Sequence, residues 1–195
     1  MDNVLTIAEE RLNLFAHMAN SACGLSLWCF GMKKQLYTCT CPAEKEFRLF
    51  LDLGQCLDYA IAHGPESHAP ILMSDPIGML WVAECVWHGD DASYLVILGP
   101  VFDAAASLQT LQNCLRGMNL SVSLTATIME KLEQVPILPL STLHQYIKML
   151  HWVLYEETLD VGSIRLQNRS NIIPDKEKSP YPWDPDRTRV AVSYT

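Results

Sequence analysis

Two strongly apolar segments near the middle of the chain organise the predicted fold. Residues 79–87 and 94–98 each have the length and composition of a β-strand, and a run of mostly small and polar residues, 88–93, separates them. Such a run favours a chain reversal, so the pattern predicts a β-hairpin. Because few polar residues alternate with the apolar ones, both faces of these strands are expected to be covered. The hairpin is therefore predicted to form the central pair of a sheet.

The segments that precede this hairpin predict two helices and a smaller hairpin. Apolar positions recur at spacings of three and four residues over 3–20, as an amphipathic helix requires. Two short strands, 25–30 and 35–40, are separated by a segment that begins with Gly31, which can adopt the positive φ of a tight reversal. Helical spacing returns over 44–63, so the smaller hairpin is predicted to lie between two helices.

The remaining periodic segments predict one more strand and three helices. Residues 70–73 form a short apolar strand, and helical spacing is found over 103–118, 123–134 and 141–160. The last helix carries an apolar stripe with the spacing of a coiled-coil seam, about two heptads long. This stripe either packs on its own domain or forms a dimer seam. It consists of Leu143, Ile147, Leu150 and Leu154.

The order of these elements predicts an α+β fold. Sequential hairpins on either side of the helix 44–63 give a five-stranded antiparallel sheet with flanking N- and C-terminal helices. This arrangement resembles sensory domains of the PAS and GAF type. The resemblance implies a ligand pocket between the sheet and the crossover segment, which here contains the helix 44–63. Residues 1–164 are predicted to form this ligand-sensing and dimerisation domain. Residues 165–195 are rich in proline and charge and are predicted to be a linker or extension.

The charge distribution argues against nucleic-acid binding by the folded part. The chain has 195 residues and a formal net charge of -8. Residues 1–164 carry 18 of the 22 acidic and 8 of the 14 basic side chains, which gives this part a net charge of -10. Such a body repels a phosphate backbone, so we do not expect it to bind DNA or RNA.

No targeting or membrane segment is evident in the sequence. The N-terminus opens with Met1-Asp2-Asn3 and lacks a signal pattern, and no run of about 18 uncharged apolar residues follows. A cytoplasmic location without membrane contact is therefore expected. The seven cysteines are odd in number and show no disulfide framework, so they are predicted to be reduced thiols.

Part of the sequence resembles a family of transcriptional regulators. The segments PIGMLWVA at 76–83 and YLVILGPVF at 94–102, with Tyr155-Glu156-Glu157 near the end of the last helix, resemble the N-terminal sensory domain of clostridial AraC-type regulators. The resemblance implies a cytoplasmic domain that senses an effector and forms a homodimer, followed by two helix-turn-helix units. This chain reaches Thr195 without a basic pair of helix-turn-helix units, so we expect either a fragment or a stand-alone relative. DNA contact would need a helix-turn-helix region that is absent from this chain.

Aromatic residues are the main candidates for a ligand site. Strand alternation places Trp81, Cys85 and Trp87 on one face of the strand 79–87. Indole rings offer a wide apolar contact and an N–H donor, so these residues are predicted to line a pocket together with Trp28 and Tyr37. The expected effector is a sugar or another small metabolite. The alternative is that these rings simply fill the core.

One acidic residue interrupts the same apolar strand. Glu84 would be costly there as an unpaired buried carboxylate. It is therefore expected either at a solvated rim or in a polar pocket.

A pair of cysteines provides the other candidate chemistry. Cys39-Thr40-Cys41-Pro42 places two thiols at i and i+2, a spacing that could hold a soft metal, and Cys-Pro pairs occur in some haem-responsive proteins. The histidines lack ligand spacing, so no metal and no cofactor is predicted. Lys33 and Lys34 could lower a thiol pKa and allow a redox role.

Regulation is the leading functional prediction, as the family resemblance implies. No enzymatic activity is expected, because the sequence lacks hydrolase, phosphate-loop and zinc-enzyme motifs. The chain is predicted to be a ligand-sensing domain that couples effector binding to the arrangement of a dimer through its terminal helices. The alternatives are a thiol-based redox sensor, a metal or haem sensor, and a stand-alone protein-interaction domain without a ligand.

Overall fold

The fold is taken from a computed structural model, which describes residues 2–88, 91–105, 108–118 and 120–167, with the backbone alone for 2–8 and 108. The central part of the predicted turn, residues 89–90, and most of the predicted extension, residues 168–195, lie outside the described residues.

Six α-helices are present in the described part of the chain, at or near the predicted positions. The predicted helix 44–63 is two helices, because Gln55 has a left-handed backbone with φ 52° directly after Gly54. The last helix ends at Tyr155 rather than 160, since Glu156 is also left-handed at φ 57°. The helices are α1 Asp2–Cys23, α2 Glu44–Leu53, α3 Cys56–His63, α4 Leu108–Gly117, α5 Val122–Leu132 and α6 Leu140–Tyr155.

The described strands form one mixed sheet in the order β2-β1-β5-β4-β3-β6. All pairings among β1 to β5 are antiparallel, but β6 pairs in parallel with β3. The α+β class is thus confirmed, whereas the prediction of five antiparallel strands is wrong in number and direction. A two-residue strand has no hydrophobic pattern that sequence could reveal. The strands are β1 Leu27–Gly31, β2 Leu36–Cys39, β3 Ile71–Ser74, β4 Leu80–His88, β5 Asp91–Val101 and β6 Arg165–Leu166.

The hairpin of β4 and β5 lies inside the sheet, as predicted, between β1 and β3. Strand β5 continues through Gly99-Pro100 to Val101, beyond the predicted end. A glycine is needed there because its φ is 135° and an added Cβ would lie 2.9 Å from the Leu80 carbonyl oxygen. The close approach of β4 and β5 coincides with a register shift between Leu80 and Val82.

The two faces of the sheet bury separate apolar clusters. We call the face covered by α2 to α5 the crossover face; its core includes Trp28, Phe50 and Trp81. We call the face covered by α1 and α6 the terminal-helix face; its core includes Val82 and Ile147. Within the described ranges, no helix combines the length and hydrophobicity that a bilayer crossing requires.

Candidate functional site

Three of the five predicted ligand residues lie in the core of the crossover face. Trp28, Trp81 and Cys85 are buried, and the two indole rings meet edge to face with centroids 6.0 Å apart. Trp28 Nε1–H donates to the Gly99 carbonyl oxygen over 2.8 Å. These rings have the packing and the satisfied donors of a filled core, which is the alternative that the sequence left open.

A buried carboxylate fixes the orientation of Trp81. Asp75 lies just after β3, and its Oδ2 accepts the Trp81 Nε1–H over 3.0 Å. Its Oδ1 accepts the backbone N–H groups of Ile77 and Met79, each over 3.0 Å. Asp75 therefore ties the turn before β4 to the indole, and Trp81 has a structural partner at its only polar atom.

Tyr37 lies apart from the other predicted ligand residues. It is 59% exposed on the edge strand β2, which β1 and β5 separate from β4. Its hydroxyl accepts a hydrogen bond from Gln35 Nε2 over 2.9 Å. The structure thus does not bring Tyr37 together with Trp81 or Trp87.

Trp87 belongs to a different group of residues from Trp81. Trp87 lies six residues beyond Trp81 along β4, which is about 20 Å at the rise of a strand. The Trp87 ring stacks on His68, with centroids 5.2 Å apart, and His68 contacts Tyr155 at 4.9 Å. Trp87 Nε1 is buried and has no hydrogen-bond partner among the described residues.

Glu84 is buried on the terminal-helix face and paired with a residue of α6. Its Oε1 is hydrogen-bonded to His151 Nδ1, while its Oε2 is buried without a partner in the described part of the chain. Burial raises the pKa of the Glu84 carboxyl, and the hydrogen bond and charge of His151 act in the opposite direction. Glu84 therefore lies away from the solvated rim that was one of its two expected locations.

Tyr155 joins the buried pair to the stacked rings. Its ring lies 5.0 Å from that of His151, and its hydroxyl donates to the Cys85 carbonyl oxygen. Burial raises the pKa of Tyr155, and the nearby Glu84 carboxylate raises it further. We call this set the polar cluster, and it consists of His68, Glu84, Trp87, His151 and Tyr155.

The polar cluster was only partly accessible to sequence reasoning. Glu84 and Trp87 were singled out for their chemistry, and Tyr155 only as part of the family resemblance, but His68 and His151 were not singled out. One signal was available, since His151 and Tyr155 are spaced i, i+4 and must share a helix face. A buried acid also requires a partner, although sequence could not show which one.

The stability that Glu84 contributes is expected to fall as the pH rises. Its pKa is raised above the ordinary 4.5, so the advantage of the protonated form is complete below 4.5 and is lost as the pH rises through the folded-state value. Urea unfolding above pH 4.5 should show Glu84→Gln gaining stability relative to the wild type, by about 1.4 kcal/mol per pKa unit. Glu66→Gln, in the exposed pair with His63, is the matched control. Parallel curves for Glu84→Gln and the wild type would contradict this assignment.

The predicted apolar stripe of α6 packs on its own domain. Leu143, Ile147 and Leu150 are buried against the terminal-helix face, and Leu154 is partly buried in the same core. The alternative of a dimer seam along this stripe is therefore not realised, because these side chains are already covered.

A different apolar surface is open between α1 and α6. Two adjoining cavities of about 570 Å³ and about 410 Å³ share Phe15, Met18 and Met149, so they form one continuous groove. Leu14 and Trp152 project beside it with 63% and 52% of their surface exposed. We call this surface the assembly groove. Exposed apolar patches of this kind on a folded domain mark contact sites.

Comparison with known proteins does not assign the chain to a family. No protein-family model, no curated protein and no solved structure matches it. The resemblance to AraC-type sensory domains therefore stays a prediction from the quoted segments.

Proposed function

We propose that the chain is a ligand-sensing regulatory domain that self-associates through α1 and α6. The observation that carries this proposal is the double role of α6. It directs His151 and Tyr155 to the polar cluster, while Met149 and Trp152 line the assembly groove. A change at the polar cluster would therefore act on the same helix that forms the contact surface.

The polar cluster is the proposed ligand site, in place of the rings at the core of the crossover face. Glu84 Oε2 offers a buried acceptor, and Trp87 Nε1 offers a buried donor, and neither has a partner among the described residues. Buried polar atoms of this kind favour a ligand that supplies the missing hydrogen bonds. His68 is exposed and stacks on Trp87, so a movement of the loop that carries His68 would expose the Trp87 indole to a ligand. A small polar metabolite with both a donor and an acceptor, such as a sugar, fits these requirements.

The proposed mechanism is a population shift. A ligand that donates to Glu84 Oε2 adds a second partner to the carboxylate that His151 holds through Oε1, and thereby favours a different position of α6 on the sheet. Because α6 packs along α1, any such shift changes the shape of the assembly groove. Ligand binding and self-association are then thermodynamically linked.

The wider context that we propose is transcription regulation in the cytoplasm, as the AraC resemblance implies. Sequential hairpins on both sides of the crossover helices α2 and α3 agree with the PAS or GAF-like arrangement. The acidic charge of residues 1–164 agrees with a regulatory part that does not itself contact DNA.

A stand-alone protein-interaction domain is the second candidate. The filled core around Trp28 and Trp81 favours it, since the crossover face holds its own side chains where a sensory pocket was predicted. It predicts the same assembly groove but no ligand at the polar cluster.

A thermal-shift screen of sugars and small metabolites tests the proposed ligand site. We expect a ligand that stabilises the wild type, and we expect Trp87→Phe to reduce its affinity by about 5- to 100-fold, because this change removes a hydrogen-bond donor and keeps a ring. Tyr37→Phe is the control, since Tyr37 lies across the sheet and should leave binding unchanged. A screen without any stabilising ligand would favour the interaction domain, and a ligand lost equally in both variants would contradict the site.

A further inference from the structure

The segment between β2 and α2 places two thiols close to each other, two residues apart. Cys39 ends β2, an edge strand, and Cys41 lies two residues later, just before α2. The Cys41 backbone N–H donates to Cys39 Sγ over 3.2 Å, which brings the Cys39 sulfur close to residue 41. A hydrogen bond between the two thiols shifts the pKa values of both. Both cysteines are free thiols.

The surroundings of Cys41 favour its thiolate. The hydrogen bond from the Cys39 thiol lowers the pKa of Cys41 to about 7, against the effect of burial. The backbone N–H of Ala43 and the hydroxyl of Ser26 also donate to its sulfur, while the charge of Glu46 opposes the thiolate. The same contact raises the pKa of Cys39. Cys41 is therefore the expected nucleophile, and Cys39 is the protonated resolving thiol.

The other described cysteines lack this combination. Burial raises the pKa values of Cys29 and Cys85 to about 11, which keeps them protonated. Cys41 is also buried, at 9% exposed, but it adjoins the half-buried Cys39, whereas Cys56 is fully buried and its sulfur lies near the Gln167 amide oxygen. Cys23 donates to the Ala19 carbonyl oxygen one helical turn away. Within the described ranges, no three histidine, cysteine or acidic side chains converge as a metal site. A two-thiol reaction is thus better supported than a metal centre.

We propose that Cys39 and Cys41 form a redox pair that a hydroperoxide closes to a disulfide. The Cys41 thiolate attacks a peroxide oxygen, an S–O bond forms, the O–O bond breaks, and the leaving oxygen takes up a proton as water or alcohol. Cys39 then attacks the resulting sulfenic sulfur, the S–S bond forms as the S–O bond breaks, and the leaving hydroxide takes the Cys39 proton to become water. The two sulfurs together lose two electrons, which the peroxide gains.

Peptide mapping after mild oxidation tests this pair. Both thiols fall in one tryptic peptide, residues 35–45, because Lys34 and Lys45 flank them. Folded wild-type protein is treated with hydrogen peroxide, and its free thiols are blocked with N-ethylmaleimide. The protein is then digested with trypsin, and the peptide masses are measured by mass spectrometry. We expect this peptide to lose two hydrogens and to carry no maleimide, while the peptides of the other cysteines are alkylated.

Two variants separate the roles of the thiols. Cys39→Ser should stop at a sulfenic acid on Cys41 that dimedone captures. Cys41→Ser should slow the oxidation of the peptide at least about tenfold, because a thiol with an ordinary pKa is mostly protonated near pH 7. Cys23→Ser is the control and should oxidise like the wild type. Oxidation spread evenly over all cysteines, or a 35–45 peptide that remains alkylated, would overturn the proposal.

Discussion

Replacing His151 with leucine is expected to cost the domain about 3–5 kcal/mol of unfolding free energy. The Glu84 side chain is buried, and its bond to His151 is the only hydrogen bond the described residues offer its carboxylate. Removing the imidazole leaves a carboxylate that must either stay charged in an apolar setting or take up a proton, and both are costly. Urea unfolding at pH 7 measures the loss.

An exposed pair in the same protein provides the matched control. His63 and Glu66 are also hydrogen-bonded, but both are largely solvated, so His63→Leu should change the unfolding free energy by about 1 kcal/mol or less. Replacing both His151 and Glu84 with leucine should recover most of the loss, since no buried charge then remains. Equal costs for His151→Leu and His63→Leu would show that Glu84 is not held as described.

The α+β class and the central position of one hairpin were predictable, because the central strands of the sheet are continuous apolar runs. The hairpin of β4 and β5 lies inside the sheet as their composition indicated. The break between α2 and α3 was not predictable, since it depends on a left-handed Gln55 within an otherwise helical pattern. Strand β6 depends on a parallel pairing between residues 165–166 and β3, which are distant in sequence.

The candidate site was less predictable, because it depends on contacts between residues that are distant in sequence. Strand alternation placed Trp87 on the face of Trp81, but the two residues lie about 20 Å apart along β4, and Trp87 contacts His68 instead. Glu84 was recognisable as an anomaly in an apolar strand. Its partner His151 lies 67 residues later along the chain, and no local pattern joins the two.

Replacing Leu14 and Trp152 with glutamine is expected to disrupt a dimer formed through the assembly groove. This surface has projecting side chains, Leu14 and Trp152, beside a groove floored partly by small residues such as Ala19 and Ala22. A patch that carries both a projection and a recess can pair with its own copy about a two-fold axis.

The charges at the assembly groove also favour a second copy as the occupant. Arg11 and Lys148 border it, and Glu156 pairs with Arg11 at the same end. Both signs of charge therefore lie at the rim, which allows opposite charges to meet across a two-fold axis. Since a buried tryptophan anchor commonly contributes about 2 kcal/mol or more, the double variant should raise the dimer dissociation constant at least about 30-fold.

Sedimentation equilibrium of the wild type, the Leu14→Gln and Trp152→Gln double variant, and Val122→Gln tests the self-association most directly. Val122 on α5 is 88% exposed and lies outside the groove, so its variant controls for the loss of any exposed apolar side chain. We predict that the wild type and Val122→Gln sediment with twice the mass of one chain at micromolar concentration, while the double variant sediments as a monomer. A wild type that stays monomeric, or a double variant that dimerises as strongly as the wild type, would contradict assembly through α1 and α6.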